Sequence, residues 1–230
     1  VTLQLVKPKS LYIILYLGLN KPKKRIEMLK KNYKILNIFA KAPWIKYVFK
    51  DIKKESGNKS ESYVYSTLKF FVANGILNQE SIGNTIVYSV SCTIKCASYM
   101  AMSYEHESWQ KMKKHEKLIQ EFSSKIPTHS FTLIVTGSYA KNGQKKESDM
   151  DIVIISDLDS KKVYAELKNF CELNIPQIHL YAFTMQEFLQ MLLDKKQNFG
   201  KEVAMNNLIL AGAETYYEII FEAMKNGFTS

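Results

Sequence analysis

The sequence predicts an α+β chain: a helical, basic N-terminal part closed by a β-hairpin, then a mixed β-sheet flanked by helices. Three observations carry this expectation. Apolar residues recur at helical spacing through much of the first 75 residues. Two short β-prone runs surround a turn containing Gly83-Asn84. Beyond residue 126, buried-strand runs alternate with capped helical segments. The chain has 230 residues, 46% hydrophobic and 23% charged. That is enough apolar material for a core and unlike a disordered chain. At roughly 150 residues per domain, one large domain or two small ones are expected. No apolar run approaches the ~20 residues of a membrane helix. The longest candidate, residues 11–19, contains Tyr12 and Tyr16 and lacks a basic leader and a small-residue cleavage site. It does not read as a secretory signal. Cys92, Cys96 and Cys171 are too few and too scattered for a disulfide scaffold or a four-ligand zinc site, so a reduced, cytoplasmic setting is expected.

The elements follow in order. Pro8 and Pro22 bracket a tyrosine-rich apolar stretch that reads as a strand or a short helix, and residues 1–25 are otherwise hard to place. Ile26, Leu29, Tyr33, Leu36 and Phe39 fall on one helical face, and Ala42-Pro43 ends that helix. A second helix is expected over about 45–55, stopped by Ser56-Gly57-Asn58. A third starts near Ser60, which caps it, and runs through Tyr63, Leu68 and Phe71 to Asn74-Gly75. Strands over 76–80 and 85–90 flank the turn at 81–84. Residues 97–125 read as one long helix ended by Ile126-Pro127, with Met100, Met102 and Met112 as core contacts. Residues 131–136 and 152–155 are β-branched apolar runs, expected as buried strands. Asp159-Ser160 opens a helix to about Leu173, and a third strand spans 177–183 after Pro176. Residues 184–187 form a capping box for the next helix, and a final helix spans 213–225 before Asn226-Gly227.

Charge is unevenly spread. The chain carries a formal +10. Residues 1–90 hold 16 Lys+Arg against 5 Asp+Glu, whereas residues 131–230 hold 10 against 13. A basic first third suggests a polyanion partner, or else a lysine-rich solvated surface. Of the 32 basic residues only Arg25 is arginine. Arginine is the better reader of guanine, so a lysine surface suits phosphate contact more than base readout. Binding of that kind is salt-sensitive.

Residues 59–77 begin with a polar helix start at Ser60, carry a leucine anchor at Leu68, and end in Gly75-Ile76-Leu77 leading into the hairpin. This stretch resembles the winged helix-turn-helix family, and the resemblance covers about residues 30–92. It implies that the helix starting near Ser60 enters the major groove of DNA, with Gly83-Asn84 at the wing tip. Lys59, Ser60, Ser62, Tyr63, Ser66 and Asn84 are then the contact candidates. Glu61 on the same helix opposes phosphate, and winged helices also serve as protein–protein modules. Winged helices on DNA often pair, so a homodimer is one expectation; the 97–125 stretch could provide its interface but shows no clean heptad pattern, and the oligomeric state stays open.

The chemical motif lies between the strands at 131–136 and 152–155. Gly137 lets the backbone turn tightly and approach a ligand closely. Ser138 opens a short helix whose free N–H groups and hydroxyl suit a phosphate. Asp149 and Asp151 are two apart at a strand start, so both carboxylates share one face. Adjacent carboxylates call for a cation between them, and Mg²⁺ shared with substrate phosphates is the usual solution. This combination, "GSYAKNGQKKESDMDIVII", resembles the DNA polymerase β-like nucleotidyltransferases, over about residues 126–230. Ala140, Lys141 and Ser148 also fit the small stand-alone members. The resemblance implies that Gly137 and Ser138 hold the β- and γ-phosphates of a nucleoside triphosphate, with Lys141 and Ser148 beside them. It implies that Asp149 and Asp151 hold Mg²⁺. Catalytic members usually carry a third carboxylate on the third strand, and the matching position here is His179. A neutral imidazole there can ligate a metal, act as a base, or be structural.

The expected organisation is a winged helix over 1–95, a linker helix over 96–125, and a nucleotidyltransferase domain over 126–230. The implied reaction moves a nucleoside monophosphate onto an RNA end, a protein side chain or a small molecule. The rival is a DNA-binding regulator, antitoxin-like, whose nucleotidyltransferase fold is catalytically impaired. The absent third acid favours the rival; the intact Gly-Ser and Asp-x-Asp favour the enzyme.

Overall fold

The computed structural model describes residues 22–141, 143 and 148–229, with side-chain surroundings from residue 32 onward. The tyrosine-rich stretch at 11–19 lies outside the described residues, as do positions 142 and 144–147 of the Gly-Ser to Asp-x-Asp spacer. The chain divides into two compact units, Val1–Asn32 and Tyr33–Ser230. The first contributes the opening turns of helix α1 (Pro22–Lys41), which starts on a proline, the residue best suited to a first helical position.

Within the second unit, β1 (Tyr47–Val48) precedes α2 (Phe49–Ser56) and α3 (Glu61–Ala73), and the hairpin β2 (Leu77–Ile82) and β3 (Thr85–Val90) follows. The three strands form an antiparallel sheet in the order β1-β3-β2. The second helix therefore starts later than its sequence pattern predicts. Tyr47 and Val48 pair with Tyr88 and Val87 instead of opening a helix, and the Tyr47 ring packs edge-on against Phe39 at 5.2 Å. A β-branched and an aromatic residue gain more from that cross-strand contact than from a helical turn. Helix α3 begins as expected, with the Ser60 hydroxyl accepting from the Tyr63 N–H at 3.2 Å.

The stretch expected as one long helix is broken. Helix α4 (Ile94–Met112) ends in a 3₁₀ turn (Lys113–His115), and α5 (Glu116–Ser123) continues from it. Residues 113–117 offer no apolar side chain to hold a continuing face to the core, so the chain turns before Ile119 and Phe122 dock. Met100 and Met112 are buried, but Met102 is 46% exposed and is not a core contact.

The second sheet holds β4 (Phe131–Thr136), β5 (Met150–Ser156), β6 (Ile178–Thr184) and β7 (Leu208–Ala211), in the order β6-β5-β4-β7. It is mixed: β4 runs antiparallel to β5 and β7, and β5 runs parallel to β6. A parallel pair needs a long crossover, supplied by α7 (Ser160–Leu173), whose first N–H groups are capped by Asp159. Short α6 (Gly137–Ala140) joins the turn after β4. Helix α8 (Met185–Leu193) opens with the predicted capping box of Thr184 and Glu187. Helix α9 (Phe199–Met205) and β7 went unmarked in the sequence pattern, and α10 (Ala213–Lys225) closes the chain.

Alternation along β4 and β5 sends side chains to two cores. Leu133, Val135, Ile152 and Ile154 pack with Ile119, Phe122, Val163 and Leu167 on one face. Ile134, Val153 and Ile155 pack on the other with Phe188, Leu192, Tyr216 and Tyr217. That second core is continuous with Ile35, Phe39, Ile52 and Leu68 of the N-terminal elements. The Tyr217 hydroxyl donates to the Ala40 carbonyl at 3.1 Å, tying α10 to α1. No helix among the described residues is long and apolar enough to cross a membrane.

Candidate active site

The strand register builds the site. Thr136 at the end of β4 pairs with Asp151 on β5, and Asp151 pairs with His179 on β6. These three positions form a row across the sheet, at the point where β4 gives way to α6. Gly137 follows at φ +67°, a left-handed conformation that L side chains rarely adopt. An added Cβ at Gly137 would collide with the Asp151 carboxylate. The glycine therefore answers to two demands, a backbone turn and the space taken by a carboxylate.

Asp149, Asp151 and His179 converge. His179 Nε2 lies 3.5 Å from Asp149 Oδ2, and His179 Nδ1 lies 3.5 Å from Asp151 Oδ1. Each ring nitrogen thus faces a different carboxylate. A neutral imidazole has one N–H, so it can donate to only one of the two; the imidazolium can face both with a donor. Burial pushes the Asp151 carboxyl above its ordinary value, and His179 pulls it back down. Asp149 and Glu202 add further upward pressure on Asp151. Among the described residues no group of three or more His, Cys, Asp and Glu side chains forms a metal cage. Two carboxylates beside a backbone turn form a partial oxygen set, of the kind Mg²⁺ completes with water and substrate phosphates.

The remaining candidates sit around this centre. The Ser138 carbonyl accepts from Gly143 N–H at 2.9 Å, closing the turn of α6. The Tyr139 hydroxyl donates to the Ser148 carbonyl at 3.2 Å, fastening α6 to the residue before Asp149. The His115 ring meets Tyr139 edge-on at 5.2 Å. Lys141 does not lie loose: its ammonium sits 3.8 Å from Glu202 Oε1, both side chains more than half exposed.

Sequence reasoning missed the wall formed by α9. Its first residue, Phe199, lies 4.4 Å ring-to-ring from Tyr181 on β6. Glu202 faces Lys141, and the Asn206 carbonyl accepts from the Thr136 hydroxyl at 2.6 Å. The readable signal was Asn198, whose side chain accepts from Lys201 N–H and starts the helix. A separate cleft of about 440 Å³ is lined by Phe183, Thr184, Gln186, Glu187, Gln190 and Met191. It opens beyond the carboxylates along β6.

On the N-terminal elements, Lys59, Ser60, Ser62, Ser66 and Asn84 are exposed, and Tyr63 is partly buried against the core. Two of these hydroxyls serve the backbone: Ser60 caps α3, and Ser66 donates to the Tyr63 carbonyl at 3.0 Å. Glu61 pairs with Lys53. Tyr65, Lys69 and Phe70 are exposed on the same helix and were absent from the sequence-based set, with the Lys69 ammonium 5.1 Å above the Tyr65 ring.

Against known families, the model described as a nucleotidyltransferase domain matches residues 115–207. The match runs from the end of the 3₁₀ turn through α9, and spans Gly137, Asp149, Asp151, His179 and Glu202. No curated protein and no solved structure matches the chain significantly.

Proposed function

We propose, on the premise that residues 115–207 form a nucleotidyltransferase domain, that the protein moves a nucleoside monophosphate from a nucleoside triphosphate to an acceptor hydroxyl. The observation that carries this reading is the convergence of Asp149 and Asp151 beside Gly137, a turn with no side chain to hold a phosphate away. Asp149 and Asp151 would hold Mg²⁺, which when bound supplies charge neutralisation at the phosphate oxygens. Gly137 and Ser138 receive the outer phosphates, the first through its backbone and the second through its hydroxyl, with Ser148 beside them. Lys141 exchanges its exposed pair with Glu202 for the phosphate chain, a small loss because exposed pairs contribute little. His179, in its neutral form, accepts the proton of the attacking hydroxyl. The new bond joins that oxygen to the α-phosphorus, the bond to the bridging oxygen breaks, and pyrophosphate leaves with the electron pair.

The N-terminal elements are read as a DNA-binding winged helix. Support comes from their order, helix–strand–helix–helix–hairpin, and from the exposed face of α3. Tyr65 and Lys69 join Lys59, Ser62, Ser66 and Asn84 as contact residues, and Ser60 acts chiefly as a cap. A cytoplasmic setting and a homodimer belong to the same proposal, the former in keeping with three free thiols.

A second reading, a DNA-binding regulator with a silent transferase fold, is favoured by His179 standing where the family's third acid stands. Calorimetric titration of ATP, CTP, GTP and UTP with Mg²⁺, on the wild type and on Asp149→Ala/Asp151→Ala, tests the nucleotide site. Labelled triphosphates with cell extract then test transfer. Metal-dependent binding lost in the double variant, with labelled product lost in Asp149→Ala, is the expected result. Nucleotide binding without transfer, together with DNA binding, favours the regulator. No triphosphate binding at all overturns the nucleotide site.

A further inference from the structure

The site has an apolar side for which phosphate chemistry has no use. On the face of β6 that carries His179, the next two positions are Tyr181 and Phe183. Phe199 lies against both, with ring centroids 4.4 Å from Tyr181 and 6.2 Å from Phe183. All three rings are only partly buried. Phe188 and Tyr217 of the same core are covered, whereas these three rings pack against it with part of their surface left open.

The helix that carries Phe199 is also fixed in place. The Asn198 side chain donates to the Met191 carbonyl at 2.7 Å, and the Lys201 ammonium donates to the Asp194 carbonyl. Gly200 packs so tightly that an added Cβ would lie 2.6 Å from the Met191 Cβ. The Thr136 hydroxyl holds the far end of α9. A surface ordered before its ligand arrives loses little entropy on binding. Its position suits one kind of ligand. Two residues along a strand is about 7 Å, so Tyr181 stands about a sugar's length along β6 from His179, whose ring faces both carboxylates. The phenol also lies within electrostatic reach of Asp151 and Glu202.

We propose that Tyr181 and Phe199 form the nucleobase platform of this site, on which the base of the nucleoside triphosphate stacks while its phosphates lie at Gly137, Asp149 and Asp151. This rests on the nucleotide-site reading above. Stacking of this kind tolerates every base, because each has a π-face.

The test is calorimetry on the full chain with Mg²⁺, using ATP and inorganic tripolyphosphate as separate probes. Tyr181→Leu and Phe199→Leu keep apolar packing and remove one ring each; Tyr181→Phe keeps the ring. Each Leu variant is expected to weaken ATP about tenfold, the fold-change of a lost base–aromatic stack. Tripolyphosphate affinity stays within about twofold on the same reasoning, since it has no base to stack, and Tyr181→Phe binds ATP like the wild type. In the wild type, NOEs between adenine ring protons and Tyr181 or Phe199 read the same contact without any substitution. Equal losses for both probes, unchanged ATP affinity, or absent NOEs overturn the platform. If ATP binding depends on Asp149 but not on either ring, only the platform fails. If neither probe binds the wild type, the nucleotide-site reading fails with it.

Discussion

Gly137 and His179 give the sharpest expectations at the scale of single residues. Gly137→Ala must place a methyl where Asp151 already sits, on a backbone at φ +67°. The Asp151 carboxylate has to swing away, so the variant should lose metal-dependent triphosphate binding in calorimetry. It should also lose about 1–2 kcal/mol of stability, the cost of a side chain at a left-handed position plus the displaced contact. His179→Ala separates two roles. A ring that accepts the acceptor's proton should leave triphosphate affinity within a few-fold, while transfer of label falls by roughly 10²–10⁴, the range for a general base. Equal loss of binding and transfer would instead make His179 a ligand or a prop. Asp149, Asp151 and Gly137 were legible because their spacing and their flanking strands obey local rules. Tyr181, Phe199 and Glu202 were not, because Tyr181 comes beside the strand of Asp151 only when β6 pairs with β5, and Phe199 and Glu202 meet Tyr181 and Lys141 only when α9 packs there. Long-range pairing leaves no local mark in a sequence.

Among elements, the joint between α4 and α10 makes a testable contrast. Glu105 Oε1 accepts from the Ala213 N–H at 2.8 Å, capping α10 from another helix. Gly212 just before it sits against the Phe131 carbonyl, so no side chain at that position can supply the cap. Burial raises the Glu105 carboxyl above its ordinary value, only partly offset by the Ala213 N–H. Two residues on, burial alone would raise Glu107 too, but Lys41, the Asn37 amide and Lys111 together lower it. The signs therefore oppose. For Glu105 the native state binds more protons than the unfolded state between the ordinary carboxyl value and the raised one, so its contribution falls as pH rises through that window. For Glu107 the contribution is present above the ordinary value and is lost as pH falls through the lowered one. Glu105→Gln keeps an acceptor for Ala213 and removes the charge, so its Tm relative to wild type should be higher at pH 7 than at pH 4. Glu107→Gln should show the reverse. Glu105→Leu, which leaves a buried N–H without an acceptor, should cost about 1–3 kcal/mol at either pH. The break at Lys113–His115 belongs to the same scale: composition favoured a helix throughout 97–125, and only the absence of an apolar anchor over five residues pointed to the interruption.

For the whole molecule, the charge asymmetry sets an expectation that tests the proposed DNA binding of the N-terminal elements. The only arginine, Arg25, precedes the residues whose side chains are described, so every basic group on the exposed face of α3 and its flanks is a lysine. Lys59 and Lys69 are exposed, whereas Lys46 and Lys53 pair with Glu80 and Glu61. Lysine acts on phosphate as a point charge and lacks the fork that reads guanine. Binding to duplex DNA should then depend steeply on salt, with log K falling against log salt by about 0.9 per phosphate neutralised. Lys59→Ala and Lys69→Ala should each lower that slope by about 1 and weaken all sequences alike. Titrating the wild type and both variants against two unrelated duplexes at several salt concentrations measures these effects together. A flat salt dependence would overturn the proposed DNA binding, and the exposed Tyr65, Phe70, Ile82 and Ile86 of these elements would then be tested for contact with a protein instead.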